Sequence, residues 1–96
     1  MAVEVRIPTI LRKHTGGARA VTSKGDTVRE VIDHLEAEHP GIKSSIIADE
    51  GDIHRFINIY LNDEDVRFSG SLETPVSDGD VVSILPAVAG GSSPRG

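Results

Sequence analysis

The chain has 96 residues, 38% of them hydrophobic and 26% charged, with a net charge of −5 from 15 acidic and 10 basic side chains. That leaves room for one modest aliphatic core and no second domain. The dispersed Lys and Arg residues offer no stripe for a phosphate backbone, and no membrane-length apolar run or secretory leader is visible, so neither nucleic acid nor membrane is an expected partner and the expected location is cytoplasmic.

Val3, Val5 and Ile7 alternate with Glu4 and Arg6, the period-2 pattern of a half-buried strand that Pro8 ends. Thr9 to Gly17 reads as a long turn, with Ile10 and Leu11 tucked against the core and Thr15-Gly16-Gly17 reversing the chain into a second strand, Ala18 to Thr22. Thr27 and Glu30 form a capping box for the main helix. Its apolar stripe is Val28, Val31, Ile32 and Leu35, with Arg29, Glu30, Asp33, His34 and Glu36 facing water and Pro40-Gly41 ending the run. His34, Glu38 and His39 have ligand-like spacing, but on a solvated helix face without further support they read as ordinary surface.

Ile42 to Ile47 adds a short helical turn over the sheet edge, followed by a solvated loop, Ala48 to Asp52. Phe56 to Leu61 is the strongest strand, with Ile57, Ile59 and Leu61 inward and Phe56, Asn58 and Tyr60 outward. Asn62 to Asp65 is its turn and Val66 to Phe68 a short return strand. Leu72 to Val76 is a loop, and Asp78-Gly79-Asp80 turns into a last strand, Val81 to Leu85.

This order predicts an α+β domain, a mixed sheet of four to five strands with one main helix packed across it. In the β-grasp version the first and last strands run parallel side by side, leaving the C-terminus free at one edge. Pro86 stops the last strand, and Ala87-Val88-Ala89-Gly90-Gly91 thins to two residues without Cβ, an arm shaped for a narrow site. The chain divides into a domain, residues 1–86, a tail, 87–91, and an extension, 92–96.

No Ser/His/Asp order, phosphate loop or cysteine nucleophile supports catalysis by the domain itself. With no cysteine in the chain, disulfides, thiolate metal sites and sulfur held on a cysteine side chain are excluded. Outward Phe56 and Tyr60 either form an apolar docking patch or lie beneath the Ile42 to Ile47 segment; Asp63, Glu64 and Asp65 are either an acidic recognition patch or a plain solvated turn.

Ile7-Pro8-Thr9-Ile10-Leu11-Arg12, Thr15-Gly16-Gly17, Gly25-Asp26-Thr27, the segment Phe56 to Phe68, Asp78-Gly79-Asp80 and Ile84 to Gly91 together resemble the ubiquitin-like sulfur-carrier family, that of ThiS and MoaD. Within it the likeness is to the actinobacterial carriers of cysteine biosynthesis. The resemblance implies a ubiquitin-like β-grasp fold and a protein co-substrate that binds no cofactor and is monomeric on its own. An E1-like adenylating enzyme would use ATP to activate the Gly91 carboxylate at the end of the Ala89-Gly90-Gly91 tail. A sulfur donor would then leave a thiocarboxylate there, from which a cysteine-synthase-like acceptor takes the sulfur. Ser92 to Gly96 place that carboxyl inside a peptide bond, as a precursor peptide removed by a JAMM-type protease or as an incidental remnant. The alternatives are a ubiquitin-like modifier joined to lysines, a carrier for molybdopterin or thiamine synthesis, and a regulatory β-grasp module.

Overall fold

Alternation starts the sheet as period 2 requires: in β1 (Ala2–Arg6), Val3 and Val5 are buried while Ala2, Glu4 and Arg6 are exposed. The computed structural model describes residues 2–87. β1 pairs antiparallel with β2 (Ala20–Lys24) and parallel with β5 (Val81–Pro86). β3 (Ile57–Leu61) pairs antiparallel with both β5 and β4 (Glu64–Asp65), giving the five-stranded order β2-β1-β5-β3-β4. Helix α1 (Val28–Glu38) lays Val28, Val31, Ile32 and Leu35 into the same buried cluster as Val5, Ile59 and Ile84. This is the ubiquitin-like β-grasp fold.

The start of α1 is built as its sequence demands, with one change. Thr27 Oγ1 accepts from the Glu30 N–H at 3.3 Å, whereas the Glu30 carboxylate reaches back past Thr27 to the Asp26 N–H at 2.9 Å. Gly25 lies where an added Cβ would come within 2.7 Å of both Val31 N and Glu30 Cβ. We expect Gly25→Ala to lower stability by about 1–3 kcal/mol, because the obstacle is largely backbone and cannot swing away. Denaturant unfolding checks this through a lower midpoint at unchanged slope.

Several elements differ from the sequence reading. Thr9–His14 is a 3-10 helix that buries Leu11 but leaves Ile10 57% exposed. Consecutive residues of a three-per-turn helix diverge too far for both to face the core. The second strand begins at Ala20, opposite Arg6, because the Thr15 hydroxyl bonds to the Arg12 and Ala18 carbonyls and keeps that stretch in the turn. His34 is half-buried, its Nδ1 3.2 Å from the hydroxyl of fully buried Ser23, which donates to the Val31 carbonyl. Helix α2 (Lys43–Ile46) packs on α1, with Ile42 and Ile46 fully buried.

The turn after β3 is only two residues, Asn62 and Asp63, at φ of 50° and 77°. Glu64–Asp65 is therefore the return strand, and Val66–Phe68 is a 3-10 helix capped by the Asp65 carboxylate, which turns Val66 into the core. Finally, β5 occupies the centre of the sheet, so the chain does not leave from a free edge. It leaves from one end of the sheet, between β1 and β3.

Two carboxylates pin loops by accepting backbone N–H groups. Glu36 accepts from Gly41 and Lys43, which hold it below its ordinary pKa of 4.5, aided by the nearby Lys43 charge. Asp80 accepts from the Asn62 amide and the Ser77 N–H and lies below its ordinary 3.8. Depressed folded-state values mean that both contributions are complete above those ordinary values and are lost as pH falls through the lower folded ones. Glu36→Gln should therefore flatten the acid side of the stability profile, read as unfolding midpoints between about pH 6 and pH 3.

Candidate functional site

Strand β5 carries the tail, and its register sets what surrounds the exit. Val82 lies beside Val5 and Ile84 opposite Ile59, all buried, which leaves Val81, Ser83 and Leu85 on the outward face. Pro86 does not interrupt the pairing: it lies opposite Ile57, and the next residue, Ala87, donates its N–H to the Phe56 carbonyl at 2.7 Å. Phe56 and Ala87 are thus a hydrogen-bonded position and Ile57 and Pro86 the intervening one. The nitrogen of Pro86 consequently points away from β3, where no ladder bond is lost.

Phe56 is 46% exposed at this exit, so the Ile42 to Ile47 segment does not cover it. Its ring is tilted against His54 with centroids 5.4 Å apart, the Arg55 guanidinium stands 5.4 Å from the same ring, and its N–H donates to His54 Nδ1. Tyr60 sits farther along β3, half-buried between Ser83 and Asp65. Arg67 escaped the sequence reading. Its guanidinium donates to the Ile57 carbonyl at 2.9 Å and to Asn58 Oδ1, fastening β3 opposite Pro86. A contact made across a reversal of nine or ten residues leaves no local signal.

The acidic turn lies at the other end. The Asn62 N–H donates to the Val81 carbonyl at the start of β5, so Asp63 and Glu64 stand roughly 20 Å from Ala87 at about 3.3 Å per strand residue. Asp63 and Glu64 are exposed, while the Asp65 carboxylate is occupied by the Arg67 N–H. The structure therefore brings Phe56 to the tail and separates the acidic residues from it. Ala89, Gly90 and Gly91 lie outside the described residues. Among the described residues there is no group of three or more potential metal ligands and no helix long and apolar enough to cross a membrane.

The sequence profile of the ThiS family matches residues 5–91. The chain belongs to the ThiS family. The matched region includes the whole sheet from Val5 onward and ends at Gly91, leaving Ser92 to Gly96 beyond it. Among ThiS-like relatives, the chain is 58% identical over 93 residues to the sulfur carrier protein CysO of Mycobacterium tuberculosis, covering 95% of this chain and all of that one. The crystal structure of that protein superposes with a TM-score of 0.87 at 57% identity, over 90% of this chain and 99% of the other. CysO in the Amycolatopsis orientalis BexX/CysO complex gives 0.86 at 62% identity, over 93% and 99% of the two chains. Small archaeal modifier protein 3 of Haloferax volcanii is 33% identical, over 95% of this chain and all of its own.

Proposed function

We propose that this chain is a sulfur-carrier protein whose working group is the Gly91 carboxylate, exposed by removal of residues 92–96. The observation that carries the reading is the end-to-end similarity to CysO, together with a family match that stops at Gly91. Residues 1–86 are the body recognised by partners, and 87–91 the arm that enters them. An E1-like enzyme joins the carboxylate to the α-phosphate of ATP, releasing pyrophosphate. A sulfur donor then displaces AMP by attack at the carbonyl carbon and leaves a thiocarboxylate. A cysteine-synthase-like enzyme takes the sulfur for cysteine or a related thio-metabolite.

Elementary chemistry agrees with this division of labour. A carboxylate is a poor electrophile until it acquires a leaving group, whereas a thiocarboxylate is an ionised, soft nucleophile at neutral pH. The absence of cysteine is consistent with sulfur carried on the main chain. Small residues at the end suit a narrow tunnel. A JAMM-type protease would perform the trimming, the domain would act as a cytoplasmic monomer, and Phe56, Tyr60 and the Asp63-Glu64-Asp65 turn are offered as docking points. That a CysO relative occurs in a complex with BexX supports action by docking.

Co-expression with an E1-like enzyme from the source organism, followed by intact-mass analysis, tests the proposal. Replacement of one oxygen by sulfur at a Gly91 end is the expected result. Adducts on lysines of other proteins would instead favour a protein modifier, the reading to which the similarity to small archaeal modifier protein 3 lends weight.

A further inference from the structure

A groove of about 430 Å³ runs along the β1 side of the tail's exit, and three arginines line it, Arg6, Arg12 and Arg19. They come from a strand, a 3-10 helix and the approach to β2, and the backbone explains their meeting. Arg6 lies opposite Ala20, the Ile7 N–H donates to the Arg19 carbonyl at 2.7 Å, and Arg12 Nε donates to the Ile7 carbonyl at 3.1 Å. The one acidic residue in the lining, Glu4, is paired with Arg6 at 3.0 Å. Arg19 makes no side-chain hydrogen bond or ion pair among the described residues, and Arg12 has only its Nε engaged. On a chain whose net charge is −5, this is a local cationic site.

The floor of the groove is apolar, formed in part by Pro8 and by Leu85, which is 45% exposed. Leu85 is two residues before Ala87, so an enzyme that receives the tail passes over it. Guanidinium groups around an apolar floor match a protein segment that carries carboxylates beside an apolar side chain, whereas a free phosphate would leave the floor unused. We propose that this groove docks an acidic, apolar-tipped segment of the adenylating enzyme, on the opposite flank of the tail from Phe56. The identity of that enzyme rests on the carrier reading above; the chemistry of the groove does not.

The test has two arms. In the first, the chain ending at Gly91 is assayed by pyrophosphate exchange with the E1-like enzyme, alongside Arg6→Glu/Arg19→Glu and Arg6→Lys/Arg19→Lys variants. The charge reversal should raise KM about tenfold at unchanged kcat, with the effect shrinking at high salt, while the Lys pair stays close to the parent. In the second, the ¹⁵N-labelled chain is titrated with the peptide Glu-Asp-Leu-Asp-Glu and, separately, with inorganic phosphate. Amide shifts at Arg6, Arg19 and Leu85 with the peptide, lost in the Glu variant, are expected. An unchanged KM in a chain that is otherwise activated overturns the proposal. Equal shifts with phosphate and peptide, or none with either, also overturn it. If the parent chain is not activated at all, the carrier reading fails and the peptide arm alone decides the groove.

Discussion

On the carrier reading, protein ending at Gly91 should be adenylated by an E1-like partner and the 96-residue chain should not. In the longer chain the Gly91 carbonyl belongs to an amide with Ser92, so no carboxylate oxygen exists there to attack the α-phosphate. The carboxylate of Gly96 is no substitute. It follows Ser92-Ser93-Pro94-Arg95, and the fixed φ of Pro94 and the bulk of Arg95 would oppose entry to the narrow site proposed for the Gly90-Gly91 end. The expected difference in pyrophosphate-exchange rate is more than about a thousandfold, a gap set by the presence or absence of a reacting group rather than by binding. Incubating the full chain with a JAMM-type protease should restore activity and yield a mass ending at Gly91. Equal activation of both forms would show that the working end is elsewhere.

Ile84→Ala should be the most damaging single truncation in the strand that carries the tail. Ile84 is 1% exposed, lies opposite Ile59 in the central pair of strands and belongs to the main buried cluster. Removing its outer carbons leaves a cavity that flanking strands cannot close, at a cost of about 2–5 kcal/mol. For a domain of this size that corresponds to a fall in Tm of roughly 10–25 °C. Leu85→Ala, one residue on, should change stability by less than about 1 kcal/mol, because that side chain is on the outward face and close to half exposed. The neighbouring substitutions thus separate two positions: Ile84 holds the sheet, whereas Leu85 lies on its outward face. Thermal unfolding of the pair decides it, and similar losses at both positions would contradict the register between β3 and β5.

Most of the layered architecture is legible in local pattern. The alternation of Val3 and Val5, the stripe Val28-Val31-Ile32-Leu35, and the inward Ile57 and Ile59 are all buried as their periods require. Each depends on a repeat matched to one kind of backbone, and such repeats survive in the tertiary setting. The failures occur where two or three residues decide. Ile10 and Leu11 are equally apolar, and only the 3-10 geometry chooses Leu11 for the core. The return strand falls on Glu64–Asp65, residues of low strand propensity, because the left-handed pair Asn62-Asp63 closes the hairpin early.

The placement of groups around the tail belongs to a different level. The sequence by itself determined that the chain has one small aliphatic core, no thiol, and a run of small residues ending in Gly90-Gly91, because these follow from composition and from the side chains glycine lacks. It also carried the family, through the order and spacing of motifs spread from Ile7 to Gly91. Only the tertiary structure decided that β5 lies at the centre of the sheet and that Phe56 stands beside Ala87 while Asp63 and Glu64 are carried to the far end. It also gathered Arg6, Arg12 and Arg19 into one groove, although no basic run appears along the chain. The reason is that β5 pairs with both β1 and β3, which sets Phe56 beside Ala87, while the pairing of β1 with β2 and the Arg12 contact to the Ile7 carbonyl bring the three arginines together. Local periodicity reports which face of an element is buried, but not which elements become neighbours.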